Sequence, residues 1–122
     1  MRTENNRSET NRLLAEFLNA KYSKEEDLYY FPSIFCKSGR NYFYSFDLLF
    51  HSDWNWLMQV VEKIEDLGYS LEINKQEEND YQCNIVKSNN IIHSHYNISK
   101  IEAVYNACIE FVKWYNENSV SS

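Results

Sequence analysis

Apolar side chains recur at helical spacing in three stretches of the chain and alternate with polar side chains in most of the stretches between them. The best-defined helical stretch runs from His51 to Tyr69, and its apolar residues cover an arc wide enough to be buried on more than one side. Ser52 or Asp53 is the expected N-cap, and Gly68 supplies the left-handed residue that ends a helix. The main apolar face consists of Trp54, Leu57, Met58, Val61 and Ile64, widened by Trp56, Val60 and Leu67.

Two further helices are predicted, one near each end of the chain. The first spans Ser8 to Ala20 and follows a frayed segment over residues 1–8; the charged segment KYSKEED after it is predicted to be a loop. The last helix begins at Ser99, where Ser99 and Glu102 have the spacing of a capping box, and residues 117–122 are expected to fray. The two apolar stripes are Leu13, Leu14, Phe17 and Leu18, and Ile101, Val104, Tyr105, Cys108, Phe111, Val112 and Tyr115.

Five segments are predicted to be strands. The segment Leu28–Cys36 contains Pro32, which favours an edge strand, and the turn signal KSGRN around Ser38 and Gly39 indicates a hairpin with the next segment. That next segment, Tyr42–Phe50, is predicted to be the strongest strand, with one uniformly apolar face and one mixed face that stays partly solvated. The face predicted to be core consists of Tyr42, Tyr44, Phe46, Leu48 and Phe50.

Three shorter alternating segments, 69–74, 81–86 and 91–96, are separated by short polar turns and predict an antiparallel meander. The element order is therefore α-ββ-α-βββ-α. We expect an α+β fold in which a single antiparallel sheet of four to five strands packs against two or three helices, as one domain over residues 1–122.

Composition narrows the classes of function. With 43% hydrophobic and 16% aromatic residues the chain is expected to fold, and two glycines with one proline leave little room for a phosphate-binding glycine-rich loop. The three cysteines, Cys36, Cys83 and Cys108, are widely spaced without a CxxC pair, which indicates reduced, buried thiols in the cytoplasm. The polar start MRTENNRSET indicates no signal peptide, and no apolar run reaches the length of a membrane span.

The net charge of −6 is unevenly distributed. Seven acids and two lysines lie between residues 62 and 80, and such a field repels phosphate backbones and attracts basic protein surfaces. The predicted partner-binding residues are these acids together with two aromatic residues expected to be exposed: Glu62, Glu65, Asp66, Glu72, Glu77, Glu78, Asp80, Trp114 and Tyr29. Trp114 lies opposite the main stripe of its helix, either covered by the first helix or available to a partner.

Two groups of residues that could carry chemistry give weaker signals than the acidic cluster. His93 and His95 form an HxH pair, but Ile92, Tyr96 and Ile98 look like the buried side of that strand, so the histidines are expected on the open face. His51 and Asp53 would be needed as further ligands, and the sequence does not show whether the three histidines converge; no metal or cofactor is predicted. The cysteines lie in apolar surroundings, where a thiol is inert, so no catalytic residue is assigned.

Aromatic residues on a sheet can also stack nucleotide bases. Tyr29, Tyr30, Phe43 and Tyr44 have the right residue type. No basic groove accompanies them and the overall field has the wrong sign, so core packing is the favoured interpretation.

Two segments, FHSDWNWLMQVVEKIEDLGY from Phe50 and SKIEAVYNACIEFVKWYNEN from Ser99, together with NRLLAEFL near the start, resemble small accessory proteins of phages, prophages and mobile elements in Bacteroidota-type bacteria. That group has no established activity to carry over. The resemblance implies a small cytoplasmic protein of an invading element, and by analogy a non-enzymatic inhibitor of a host defence nuclease, anti-CRISPR-like, that binds a basic surface. The alternatives are a nucleic-acid-associated accessory protein using the sheet aromatics and a small metal-dependent enzyme.

Overall fold

The computed structural model describes residues 2–33, 39–77 and 80–119. The chain divides into two compact units, Met1–Gln59 (unit 1) and Val60–Ser122 (unit 2), and the boundary falls inside a helix. Each unit contains its own three-stranded antiparallel sheet. The predicted α+β class is therefore confirmed, whereas the prediction of a single sheet of four to five strands is wrong.

Unit 1 begins with helix α1 (Arg2–Phe17), which is followed by strands β1 (Lys21–Ser23), β2 (Leu28–Tyr30) and β3 (Tyr42–Tyr44). The helix starts earlier than predicted, since the backbone expected to fray is helical. It ends where Asn19 adopts a left-handed φ of 69° and the Ala20 amide donates to the Ala15 carbonyl, a common helix ending. The segment KYSKEED, predicted to be a loop, contains strand β1.

The sheet of unit 1 has the order β1-β2-β3, and it buries the face opposite to the predicted one. Phe43 is 4% exposed, whereas Tyr42 and Tyr44 are 46% and 47% exposed. The predicted strand 42–50 stops at Tyr44, because a 3-10 turn (Ser45–Asp47) follows and shifts the alternation. Leu48 and Phe50 are buried as predicted, but from an irregular segment rather than from a strand.

Helix α2 (Trp54–Asp66) has the ends predicted for it. The Asp53 carboxylate accepts from the Asn55 amide at 2.8 Å, and Gly68 has a φ of 101°. Trp56, predicted to widen the apolar face, is buried, with its ring against those of Phe31, Phe43 and Phe50. Trp54, predicted to face the core, is 38% exposed.

Unit 2 contains strands β4 (Ser70–Glu77), β5 (Asp80–Lys87) and β6 (Asn90–Asn97), followed by helix α3 (Lys100–Ser119). The strands form the predicted antiparallel meander, in the order β4-β5-β6, and α3 lies against β5 and β6. The Ser99 hydroxyl accepts from the Glu102 amide at 3.4 Å, as the capping box requires, and the Ser99 amide donates to the Asn97 side chain. The helix continues to Ser119, beyond the point where fraying was predicted.

The core of unit 2 is formed mainly by α3 and β5. Its fully buried side chains include Ile64, Cys83, Ile85, Val104, Cys108, Phe111 and Val112, with Tyr105 2% exposed. Of the residues singled out from the sequence, Cys36, Ser38, Glu78 and residues 120–122 lie outside the described parts of the chain.

Candidate functional site

The predicted acidic residues that the structure describes lie on two elements of unit 2. Glu62, Glu65 and Asp66 follow one another at the i, i+3 and i+4 positions of α2, which places them on one side of that helix. Glu72 and Glu77 lie on the edge strand β4. All five side chains are exposed, and Asp80, which pairs with Glu77 at one end of the β4–β5 ladder, is half-buried. We call these six residues the acidic surface.

The two units differ in charge. Unit 1 contains eight acids and seven bases, a net charge of −1, whereas unit 2 contains ten acids and five bases, a net charge of −5. Glu65 and Asp66 lie in the last turn of α2, where the negative end of the helix dipole opposes them. The long-range field of unit 2 therefore favours a positively charged partner.

The two aromatic members of the predicted surface have different environments. Tyr29 is 2% exposed, with its ring 4.6 Å from that of Tyr22, so the prediction that it is exposed is wrong. Its burial raises the pKa of the Tyr29 hydroxyl to about 12. Trp114 is half-buried in unit 2, where its ring lies 5.8 Å from those of His93 and Phe111 and 6.1 Å from that of Tyr69.

The two histidines of β6 lie on the opposite face from the one predicted. His93 pairs with Ile85 and His95 with Cys83, and paired residues share a face of a sheet. Ile85 and Cys83 are fully buried, so the histidines are on the side of α3. Ile92, Tyr96 and Ile98, predicted to be buried, are 37%, 59% and 77% exposed.

His93 is placed for packing rather than for coordination. Its Nε2 atom is buried without a hydrogen-bond partner in the described chain, and its ring meets the Phe111 and Trp114 rings edge to face. Burial lowers the pKa of His93, with a smaller contribution from the nearby His95. Among the described residues, no three His, Cys, Asp or Glu side chains gather as a metal site would require.

The cysteines of unit 2 are buried, as predicted. Burial raises the pKa of the Cys83 thiol to about 12, and it raises that of Cys108 well above its ordinary value. Both residues are free thiols. Because the thiolate is the reactive form, neither group is activated as a nucleophile.

Sequence reasoning missed a pocket of about 450 Å³ in unit 1. One wall comes from α1 and the other from the 3-10 turn and the segment after it. The residues that line this unit 1 pocket are Arg7, Ser8, Asn11, Ser45, Phe46, Leu48 and His51. The pocket combines a cation, two hydroxyl groups, an imidazole and an aromatic ring, which are the groups that bind small polar aromatic ligands.

Asn11 fixes the orientation of His51 in the pocket wall. Asn11 is 3% exposed, and its Nδ2 atom lies 3.0 Å from the Leu48 carbonyl oxygen and 3.0 Å from Nδ1 of His51. A carbonyl oxygen only accepts, so the amide group must present its NH₂ to this side, and Nδ1 of His51 must also accept. In the neutral ring the proton is therefore on Nε2.

Exposed aromatic rings extend from the pocket along the sheet of unit 1. The Phe46 ring is 75% exposed and stacks on that of Tyr44, with a centroid distance of 5.2 Å and an interplanar angle of 3°. Tyr42 and Tyr30 follow, with ring centroids 6.4 Å apart, and the Arg40 guanidinium lies 5.8 Å from the Tyr42 ring centroid. We call Tyr30, Tyr42, Tyr44 and Phe46 the ring surface. The sequence pattern hid it, because Tyr42, Tyr44 and Phe46 were assigned to the apolar face of a strand over residues 42–50 and core packing was favoured for Tyr30.

No protein-family model, curated protein or solved structure matches this chain. None of the described helices combines the length and the apolar character needed to cross a membrane.

Proposed function

We propose that the protein is a non-enzymatic binding module of phage or mobile-element origin, which uses the acidic surface of unit 2 to engage a basic protein in the cytoplasm. The partner that suits such a surface best is a host defence nuclease, a CRISPR or restriction enzyme, whose nucleic-acid groove is positively charged. An acidic protein bound in that groove would compete with the nucleic acid, as an anti-CRISPR inhibitor does.

One observation carries this proposal: the exposed acids Glu62, Glu65, Asp66, Glu72 and Glu77 all belong to the unit with the net charge of −5. Exposed charges contribute little to folding stability, so a cluster of one sign is tolerated for folding rather than required by it. Its main physical effect is to accelerate and orient encounters with a surface of opposite sign.

The test compares two triple variants with the same change of charge. The first, Glu65→Gln with Glu72→Gln and Glu77→Gln, neutralises part of the acidic surface. The control, Glu9→Gln with Glu25→Gln and Glu117→Gln, neutralises three exposed glutamates elsewhere. Inhibition of DNA cleavage by purified defence nucleases of the bacterial host is measured for the native protein and both variants at low and physiological salt.

We expect the native protein and the control to inhibit at least one nuclease, and the first variant to inhibit it more weakly, with the larger loss at low salt. Equal inhibition by the two variants would show that the acidic surface is not the contact. Absence of inhibition across the panel, with no competition for nucleic acid, would reject the inhibitor function.

A further inference from the structure

We propose that the unit 1 pocket is a nucleotide-binding site, in which the base stacks on Phe46 and the phosphate lies toward Arg7. The ligand is one nucleotide unit, either free or within a single strand. The residues of this site all belong to unit 1 and those of the acidic surface to unit 2, so the inference does not rest on the proposed function.

Size is the first requirement, and the pocket meets it. Its volume of about 450 Å³ lies within the roughly 300–1,000 Å³ of ordinary small-molecule sites. The walls come from α1 and from residues 45–51, so they are held by tertiary packing. The Asn11 amide joins the two walls through its bonds to the Leu48 carbonyl and to His51.

The aromatic wall provides the second argument. A Phe side chain that is 75% exposed contributes little to the core, yet Phe46 is held in a defined orientation by its parallel stack on Tyr44. One face of the Phe46 ring is therefore occupied, and a planar base can extend the stack on the other side. Stacking of this kind accepts any base, because every base has a π face.

The polar groups of the pocket match the rest of a nucleotide. The guanidinium of Arg7 is suited to a phosphate, with which it can form paired, charge-assisted hydrogen bonds. The Nε2–H of His51 is a donor whose tautomer is fixed by Asn11. The Ser45 hydroxyl donates to Asp27 at 2.8 Å, which leaves its oxygen able to accept from a sugar hydroxyl or a base amine.

Charge is compatible with a phosphate in unit 1 but not in unit 2. Unit 1 is nearly neutral, and the Asp27 carboxylate beside Ser45 accepts hydrogen bonds from the Tyr22 and Ser45 hydroxyl groups. Beyond the pocket, the ring surface with Arg40 beside Tyr42 could continue to stack the bases of a longer strand.

The experiment measures binding of three classes of probe to the full chain by titration calorimetry. The classes are the four ribonucleoside monophosphates, the corresponding nucleosides, and a fluorescently labelled single-stranded oligonucleotide. We expect saturable binding of at least one phosphate-bearing probe with one site per chain. A preference for the monophosphate would indicate that the ligand is a free nucleotide. Binding of the oligonucleotide alone would indicate that the ligand is part of a single strand. Either outcome supports the nucleotide site.

Two variants and one control test the assignment. Phe46→Ala removes the stacking ring and should weaken binding by about 5- to 150-fold, the range for one base–aromatic contact. Arg7→Gln should weaken binding of the monophosphates while leaving nucleoside binding unchanged. Tyr96→Ala removes a ring of unit 2 that is 59% exposed, and should leave all binding unchanged.

Three outcomes would overturn the proposal. They are no binding of any probe at millimolar concentration, equal losses from Phe46→Ala and Tyr96→Ala, and unchanged binding in Phe46→Ala. Because the substituted side chains Phe46 and Tyr96 are exposed, neither variant should unfold the protein, and an unchanged urea midpoint confirms this. The triple variants of the acidic surface should bind the probes as the native chain does.

Discussion

The two units are of similar length and both contain a three-stranded antiparallel sheet, but they use their aromatic residues in opposite ways. In unit 2 the aromatic rings of Tyr105 and Phe111 are buried, with Phe111 against His93 of the sheet, and the net charge is −5. In unit 1 aromatic side chains lie on both faces of the short sheet, one face buried and the other exposed. The net charge of this unit is only −1. The four exposed rings of the ring surface thus lie in the unit with the smaller net charge, whereas Tyr96 is an exposed ring of the acidic unit.

The difference between the two units shows that two kinds of surface, one charged and one aromatic, can serve for binding. A surface with high charge selects partners at long range, whereas an uncharged surface with rings selects them at contact. Under the two proposals above, the chain would use two kinds of recognition, and substitutions in the binding surface of one unit should leave binding by the other unchanged. The following predictions test that separation, from the largest expected effect to the smallest.

The largest expected effect is the difference in stability loss when a Phe side chain is removed from a buried position and from an exposed one. Phe111→Ala empties a fully buried position and should lower the free energy of unfolding by about 3–5 kcal/mol. Phe46→Ala, at a position 75% exposed, should change it by less than about 0.5 kcal/mol. Urea denaturation measures both values; similar losses would mean that Phe46 belongs to a core after all.

A smaller loss is expected from the buried amide of unit 1. Asn11→Ala removes the hydrogen bonds to the Leu48 carbonyl and to His51, and leaving a buried group unsatisfied costs about 1–3 kcal/mol. Asn116→Ala, an exposed position on α3, is the matched control. Hydrogen exchange should show the loss of protection in residues 7–51; a loss confined to unit 2 would contradict the assigned contacts.

The N-cap of α2 should contribute less to the free energy of unfolding than the buried Asn11 amide does. Asp53→Ala removes the acceptor of the Asn55 amide and should destabilise the protein by about 0.5–2 kcal/mol, whereas Asp53→Ser should retain most of the stability. Thermal denaturation of both variants provides the measurement. An equal loss in the two variants would show that the side-chain acceptor is not what matters at this position.

The smallest effect is a pH dependence confined to unit 2. Burial lowers the pKa of His93 from its ordinary value of 6.5, so the unfolded chain binds this proton more readily than the folded chain. The contribution of His93 to stability is complete above that value, and stability falls as the pH drops below it. His93→Gln should remove this contribution to the pH dependence. The urea midpoints of the variant at pH 7.5 and pH 5 should therefore differ less than those of the native protein. The same difference in both proteins would contradict the assignment to His93.

The sequence predicted the elements whose signals are local. The ends of α2 follow from Asp53 and Gly68, and the start of α3 from Ser99, because cap residues act on amides within a few positions. The meander of unit 2 follows from short polar turns between alternating segments. In both cases the residues that determine the element are close together in the sequence.

The errors in assigning buried faces have two physical origins, which are a change of phase along one segment and the choice between the two faces of another. Alternation over residues 42–50 continues in the sequence, but the 3-10 turn at Ser45–Asp47 rotates the side chains that follow. In β6 the choice of buried face rested on Ile92 and Tyr96, while the register with β5 directs His93 and His95 toward α3. Periodicity identifies two faces of a strand and does not say which one the helix will cover.

The unit 1 pocket was not predictable for another reason. It forms from residues 7–11 and residues 45–51, which are far apart in the sequence and carry no motif. Asn11, in the middle of a helix, would ordinarily be taken as a solvated residue. Only the tertiary position of the Leu48 carbonyl makes it a buried donor.

Strand β4 gives the charges of unit 2 a second consequence. Within the described residues its only strand partner is β5, so one side of its backbone is open to pairing with another chain. Glu72, Lys75 and Glu77 are exposed along it, and charged side chains on such an edge oppose strand-to-strand aggregation. The negative charge that would attract a foreign basic surface would thereby also oppose pairing between copies of this protein, and a neutralised strand should favour self-association at high concentration.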